Sequence, residues 1–589
     1  MFNWHNLSPT LDSATDAMAT AIWSNPLFLL LLGCGLLFTV LTRFVQWRIL
    51  THGYACIRGR YDKPDDTGHI NHFQALCAAL SATIGLGNIG GVALAVSVGG
   101  PGAVFWMWIV GLFGMALKFM ECTLAVMFRG VRIRKSAASG EEQHEVRGGP
   151  MWYMQKALVE PLWSRGNPFW VVFKVLAVLF AVSTILNALG SGNMFQGWNI
   201  SDMLQKNFHV PTALSGAVVA SLVGLVIIGG IQRIGNVASR LVPFMCIVYV
   251  LGALVVVLMH IHQVPYYLGL IVSSAFTASA GTGAFVGVAM KTAFVQGLRR
   301  ACFSNEAGEG SAAMAHAAAK TEEPIREGVV AGIGPFVDTL LICTMTALVL
   351  LMSGTWDRAP VGRVTAVEGT SVVIEYTDQV DPRIAGLYME RLHFPKRTGS
   401  QFSIYVPLEE GAQFEEVKTD IPRGAVPEDA TVAQWATLPP ATLDVSGVEE
   451  KERARLAAGQ TVHLCMEGAE LTRFAFDATL PGFGMWIVTL GVCLFGFSTM
   501  ISWSYYGERG AEYLFGSGAI LPYKVGFVLF VFLGMVLEKF QWVYNFSDGA
   551  SGLMVFWNLP AVLLLSPHVV RAARDYFGRL DRGQMPRVH

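Results

Sequence analysis

Residues Leu76–Gly102 read LCAALSATIGLGNIGGVALAVSVGGPG, and the middle of this stretch decides the fold. The stretch is apolar and, at about 1.5 Å per helical residue, long enough to cross roughly 30 Å of hydrocarbon. Four of the seven residues Gly85-Leu86-Gly87-Asn88-Ile89-Gly90-Gly91 are glycine. Each costs a helix interior about 1 kcal/mol relative to alanine, so the sequence predicts a membrane helix broken near the bilayer midplane. Lipid offers no partners for unwound backbone, so the break must face protein or a water-filled cavity. Free N–H groups at the start of the second half-helix suit a carboxylate, and freed carbonyls suit a small cation.

The whole chain fits that setting. Of 589 residues, 53% are hydrophobic and 14% charged, which leaves too little charge to cover a soluble surface. The net charge of -1 gives no reason to expect a nucleic-acid partner. Nine cysteines, an odd number, are scattered singly without CxxC or Cys/His spacing, so no disulfide framework or zinc site is expected. The segment before Ser24 lacks a basic stretch followed by an A-x-A site, and no cleaved signal peptide is read there.

Eleven apolar spans follow one another: Pro26–Leu50, Phe73–Val98, Ala103–Phe128, Phe169–Leu189, Thr212–Gly230, Leu241–His262, Leu268–Leu298, Gly328–Ser353, Gly482–Tyr506, Tyr523–Phe540 and Ala550–Pro567. Arginine and lysine cluster at Arg58–Lys63, Arg129–Lys135, Arg233–Arg240, Arg299–Arg300 and in the tail from Arg571. The positive-inside rule puts these in the cytoplasm and the N-terminus outside. Between the eighth and ninth spans, Thr355–Leu480 carries 12 basic and 20 acidic side chains. Its alternation, as in Ser371-Val-Val-Ile-Glu-Tyr, predicts a small β-rich insert on the outer face. The insert is either an accessory or oligomer-contact domain or a lid or partner-binding element. The expected division is therefore a membrane part over 1–354, the insert over 355–480, and a membrane part with a cytoplasmic tail over 481–589.

With the first span set aside, ten spans divide into two fives. Each five opens on a glycine-interrupted span, the second reading Ala278-Ser-Ala-Gly-Thr-Gly-Ala-Phe-Val-Gly287. Paired interruptions of this kind point to an inverted-repeat transporter with a midplane site, although glycines also serve close helix packing. No span carries a nucleophile/base pair or an HExxH motif, and no repeated filter segment is present, so a membrane enzyme or a channel fits less well.

Several long motifs carry a resemblance. TIGLGNIGGVALAV (Thr83–Val96), GGPGAVFWMWIVGLFGMALKFMECTLAV (Gly99–Val126), CFSNEAGEGSAA (Cys302–Ala313), VDTLLICTMT (Val337–Thr346) and FSTMISWSYYGER (Phe497–Arg509) resemble the sodium:alanine symporter family, and the likeness covers nearly all of the membrane part. The resemblance implies an all-α, leucine-transporter-like fold of two five-helix inverted repeats with one extra N-terminal helix. It implies import of a small neutral amino acid, alanine or glycine, with sodium across the inner membrane, with no organic cofactor and no enzymatic activity. A cation-coupled carrier of another small zwitterion is the alternative.

Carried over residue by residue, the resemblance assigns substrate contacts to Thr83, Gly85, Gly87, Asn88, Gln196, Gly281, Thr282, Gly283, Phe285 and Trp503. It assigns sodium to Ser498 and Thr499 together with carbonyls near Thr83 and Gly85. Neutral hydroxyls and carbonyls suit a hard cation, but adjacent hydroxyls leave a helix in different directions, and either serine or threonine is otherwise back-bonded to its own helix. Gln196 serves the pocket or a helix–helix hydrogen bond, and Trp503 the pocket or the core. Lys118 and Glu121, at i and i+3 near a cytoplasmic end, are expected to pair as structural or gating groups. Asp338 acts either as a cation relay or as a hydrogen-bond partner of a broken helix. Glu306 and Glu309 are expected in a cytoplasmic loop as cap or gate contacts.

Overall fold

The computed structural model describes residues 14–63, 65–135, 142–276, 286–356, 360–376, 403–407, 416–420, 440–446, 450–464, 468–537 and 541–585. Among them, eight helices are long and apolar enough to cross a membrane, nine if the bent pair His72–Thr83 and Gly87–Gly99 is one span. The chain is a multi-pass membrane protein. Four of the eleven expected spans are not continuous helices of that length: Pro26–Leu50 stops at Leu41 and resumes at Val45 after left-handed Arg43 and Phe44, and Phe73–Val98 is the bent pair. Thr212–Gly230 holds a helix of 16 residues, Thr212–Ile227, and Leu268–Leu298 is represented by the helices Val264–Ser274 and Val286–Asn305, with 277–285 outside the described residues.

The helices are apolar outward and carry their polar groups inward. On Trp170–Leu189, Val171, Val175, Leu179, Val182 and Leu186 form an exposed stripe at helical spacing, while Ser183, Thr184 and Asn187 are buried. This suits a lipid exterior and a polar interior. The central helix Gly484–Phe515, of 32 residues, is buried along most of its length and packs against Trp170–Leu189, Phe195–Phe208, Gly230–Met259 and His72–Thr83.

The break in the quoted stretch is real and shorter than its glycines imply. A capping box between Asn71 and Gln74 starts the helix His72–Thr83, which ends at Ile84 with ψ 87°, and the two halves are bent by 53°. Gly87–Gly91 is a π-helical turn that leads into Val92–Gly99. A side chain at Gly90 would place its Cβ 2.9 Å from the Ala469 nitrogen, so this glycine serves close packing of the helix Gly468–Thr479. Thr472 on that helix donates to the Ile89 carbonyl at 2.9 Å, in addition to the bond that carbonyl accepts from the Val92 N–H.

Between the membrane helices lie six strands, in sheet order Glu416–Asp420, Ser403–Pro407, Thr461–Leu464, Gly362–Glu368, Ser371–Tyr376 and Ala441–Asp444. All five pairings are antiparallel, and a bulge at Val364/Ala366 shifts the register. The apolar members of the alternation, Val364, Val372 and Ile374, are buried as the period of two requires.

Several connections that the charge pattern assigns to one side meet at one end of the molecule. Arg129 donates to the carbonyls of Thr67, Ala317, Ala319 and Thr321 at 2.5–3.1 Å. Arg579 pairs with Glu323 at 2.8 Å, and Arg48 with Asp581 at 2.7 Å. The hydrogen bond from Thr67, with Arg129 nearby, holds the Glu322 carboxyl below the usual range. The eight described cysteines are unpaired.

Candidate functional site

Beside the break lies a small cavity with about 310 Å³ of space between atoms. Five stretches of the chain meet there. Ala82, Thr83, Gly85, Leu86 and Gly87 come from the break, Asn187, Ser191 and Gln196 from around the π-helical turn Gly190–Met194, Phe303, Glu306 and Glu309 from the end of Val286–Asn305 and the loop after it, and Thr499 and Trp503 from the central helix. Ser551 completes the wall. Of the expected site residues, Thr83, Gly85, Gly87, Gln196, Thr499 and Trp503 line this one space. Gly281, Thr282, Gly283 and Phe285 lie outside the described residues.

At Gly85 two oxygens converge. A Cβ there would sit 2.8 Å from Thr499 Oγ1 and 3.7 Å from Gln196 Oε1, so only glycine leaves the space open. Both oxygens are buried and have no hydrogen-bond partner among the described residues. Gln196 Nε2 donates to the Ser191 carbonyl at 3.0 Å, which fixes the amide with its oxygen free. Unpaired buried acceptors of this kind cost about 1–3 kcal/mol each and call for a ligand. Leu86 and Gly87 lead the second half-helix, whose first-turn N–H groups have no intrahelical partner. Phe303 closes over Gly87, 3.2 Å from where a Cβ would be.

Ser498 stands apart from its neighbour. Its hydroxyl donates to the Phe495 carbonyl at 2.9 Å and the Ser81 carbonyl at 3.3 Å, while Ser81 Oγ donates to the Ser498 carbonyl at 2.7 Å. That exchange clamps the central helix to His72–Thr83. Thr83 Oγ1 is back-bonded to Ala79 and Leu80 at 3.3 and 3.4 Å.

Asn88 does not line the cavity. It is fully buried, accepts from the Gly85 N–H at 3.0 Å, and donates to Asp338 Oδ1 at 2.6 Å and Ser304 Oγ at 3.1 Å. Asp338 also accepts from Ser304 and Thr339, each at 2.8 Å. Its partner is therefore the broken helix, one of the two readings the sequence leaves open.

Three acidic positions differ from expectation. Glu306 and Glu309 do lie in the loop after Val286–Asn305, but that loop is buried: they are 4% and 1% exposed, folded into the bundle by left-handed backbone at Glu306, Gly308 and Gly310 (φ 53°, 90° and 79°). Trp503 Nε1 donates to Glu306 Oε1 at 3.1 Å, so the indole is wall and tether at once. Glu121 does not pair with Lys118: it accepts from Asn558 at 3.3 Å, while Lys118 faces a second cavity with Thr83, Asn305 and His316. Both groups are buried well inside the bundle, away from the water that snorkelling would need.

Sequence reasoning did not single out Asn187, Ser191, Phe303 or Ser551. Asn187 lies on an apolar helix, where a polar residue is the available signal. Among the described residues, no group of three or more His, Cys, Asp or Glu is placed to hold a metal ion; the free oxygens at the break are those of the Gln196 amide and the Thr499 hydroxyl, and Asn187 Oδ1 and Glu309 Oε2 are also without a partner on the cavity wall.

The sequence model of the sodium:alanine symporter family matches residues 8–379 and 454–589, leaving 380–453 unmatched. A protein described as an uncharacterized transporter of Haemophilus influenzae is 33% identical over 575 residues, covering 97% of each chain. The sodium/alanine symporter AgcS of Methanococcus maripaludis is 34% identical over 564 residues, 96% of this chain and 97% of that one. Among solved structures, that of MhsT in complex with L-phenylalanine aligns with a TM-score of 0.45 at 10% identity, covering 86% and 98%.

Proposed function

The chain belongs to the sodium:alanine symporter family, and from that premise we propose that it imports a small neutral amino acid, alanine or glycine, with sodium across the inner membrane by alternating access. It is a transporter and not an enzyme. The observation that carries the proposal is the convergence of two unpaired oxygens, Thr499 Oγ1 and Gln196 Oε1, on the break at Gly85. A hard monovalent cation there gains oxygen ligands from a hydroxyl, an amide and the main chain without a fixed negative charge. The substrate carboxylate then reaches the leading N–H groups of Leu86 and Gly87, beside the cation.

Thr83, Gly85, Gly87, Gln196 and Trp503 form the substrate wall in this reading, completed by Gly281, Thr282, Gly283 and Phe285. Phe303 over Gly87 and the indole of Trp503 leave little room, which favours a side chain of hydrogen or methyl. Asn88 is reassigned from substrate contact to the brace that shapes the break. Thr499 is kept as a sodium ligand, and Ser498 becomes the clamp beside it. The architecture in this reading is the leucine-transporter-like pair of five-helix inverted repeats with one extra N-terminal helix and a cytoplasmic C-terminal tail. The insert, 355–480, then lies outside the cell, and its helix Gly468–Thr479 supports the break from that side.

Uptake of labelled alanine and glycine into proteoliposomes tests the proposal. Accumulation above equilibrium driven by an inward sodium gradient, and not by an equal potassium gradient, is the expected result. Equilibration without accumulation, indifferent to the cation, overturns it.

A further inference from the structure

The cavity has an acidic wall that the proposed sodium position at Thr499 does not use. Two carboxylates stand on it, and their partners differ. Glu306 has both oxygens occupied, Oε1 by Trp503 and Oε2 by Ser311. Glu309 Oε1 accepts from Ser551 Oγ, but Oε2 is buried without a partner, and Glu309 forms no ion pair among the described residues. Asn187, 1% exposed, lines the same space. Its amide nitrogen is turned to Met554 Sδ at 3.6 Å, which leaves Oδ1 buried and unpartnered.

A buried carboxylate with a free oxygen and no ion-pair partner in contact is expensive unless a cation or a proton joins it. The other charged groups of this interior do not serve. Lys118 acts on Glu309 only from a distance and faces the second cavity, Arg299 is bound to Asp548, and Glu306 and Glu121 add negative charge. The donors that remain are a carboxylate oxygen, an amide oxygen and a serine hydroxyl that keeps its lone pairs while donating. All are hard oxygen ligands. A single charged ligand among neutral ones suits a monovalent ion better than a divalent one.

We propose that Glu309, Asn187 and Ser551 form a second cation site in this cavity, which takes a sodium-sized monovalent cation. It is separate from the position at Thr499 and rests on the reading of the cavity as a transport site. Two cations would then move with each substrate, and stability would rise with the logarithm of sodium concentration at a slope approaching about two bound ions, where a single site allows one.

Sodium titration of the purified full chain in detergent, without amino acid and read by melting temperature, tests this. The wild type is expected to show the steep response. Glu309→Gln and Asn187→Leu are each expected to reduce the slope to about 1 and to raise the half-saturating sodium roughly tenfold, whereas Thr499→Val retains the Glu309 component. If Glu309→Gln fails to fold, Asn187→Leu carries the same test. A Glu309→Gln titration identical to wild type overturns the second site and leaves the first standing. Loss of alanine-induced stabilisation with the sodium response intact shows that the carboxylate faces the substrate amine, and also overturns it. Equal stabilisation of the wild type by acid without sodium assigns the site to a proton, against the proposal. A wild type indifferent to sodium overturns both readings.

Discussion

The two flanks of the break are only three residues apart, yet they are built to opposite specifications. Around Asn88 every described side-chain polar atom is bonded: Asp338, Ser304 and Thr339 form a closed network. Around Gly85 the acceptors of Thr499 and Gln196 are left open. Both flanks are buried, so solvent cannot explain the difference. A saturated network fixes the bend of the helix, and an unsaturated one keeps a place for what the helix binds. Polar residues near a broken helix are therefore not all ligands, and the division falls between neighbouring positions.

The largest effect should come from breaking the closed flank. Asn88→Leu removes two bonds of the buried Asp338 and the cap on the Gly85 N–H, and is expected to destabilise the protein by about 3 kcal/mol or more. A melting curve in detergent, with and without sodium, reads it. An unaltered melting temperature would mean that Asn88 is not the brace. Next comes Gly85→Ala on the open flank. The added Cβ meets Thr499 Oγ1 at 2.8 Å. Sodium-driven uptake should fall at least tenfold while the melting temperature changes by no more than about 1 kcal/mol equivalent, because the clash falls in the ligand's space and not in a packed core.

The hydroxyl pair sharpens the comparison further. Ser498→Ala removes the clamp to Ser81 and should cost about 1 kcal/mol in stability with little change in sodium dependence. Thr499→Val removes an acceptor that nothing in the protein bonds, so stability should hold while sodium affinity drops. A swapped pattern would exchange their roles. The smallest effect is expected far from the break: Arg48→Ala removes a half-exposed pair with Asp581 that holds that carboxyl below its usual range. Its contribution is present at neutral pH and is lost as pH falls through the lowered pKa. With solvent screening it amounts to less than about 1 kcal/mol.

Much of this was legible in the sequence, and the rest was hidden for physical reasons. Glycine density located the bend, and the apolar runs located most of the spans. The π-helical turn at Gly87–Gly91 was not legible, because Gly90 reflects the approach of Ala469, nearly four hundred residues away, and Gly87 that of Phe303. Asn88 was expected at the substrate because its partner Asp338 lies on another span and the pairing leaves no local trace. The divergence of Ser498 and Thr499 follows from the 100° step of a helix, but which of the two faces the cavity depends on the rotation of the central helix in the bundle. Glu306 and Glu309 looked like loop residues because their segment is rich in glycine. The same glycines supply the left-handed backbone that turns the loop inward.

The central claim is that Thr499 Oγ1 is left unpaired for a cation. Sodium dependence of alanine uptake, measured side by side for the wild type and Thr499→Val in proteoliposomes, tests it most directly. A half-saturating sodium concentration raised about tenfold in Thr499→Val, the equivalent of one lost ligand, is expected, with the protein as stable as before. Identical sodium curves for the two proteins would contradict it.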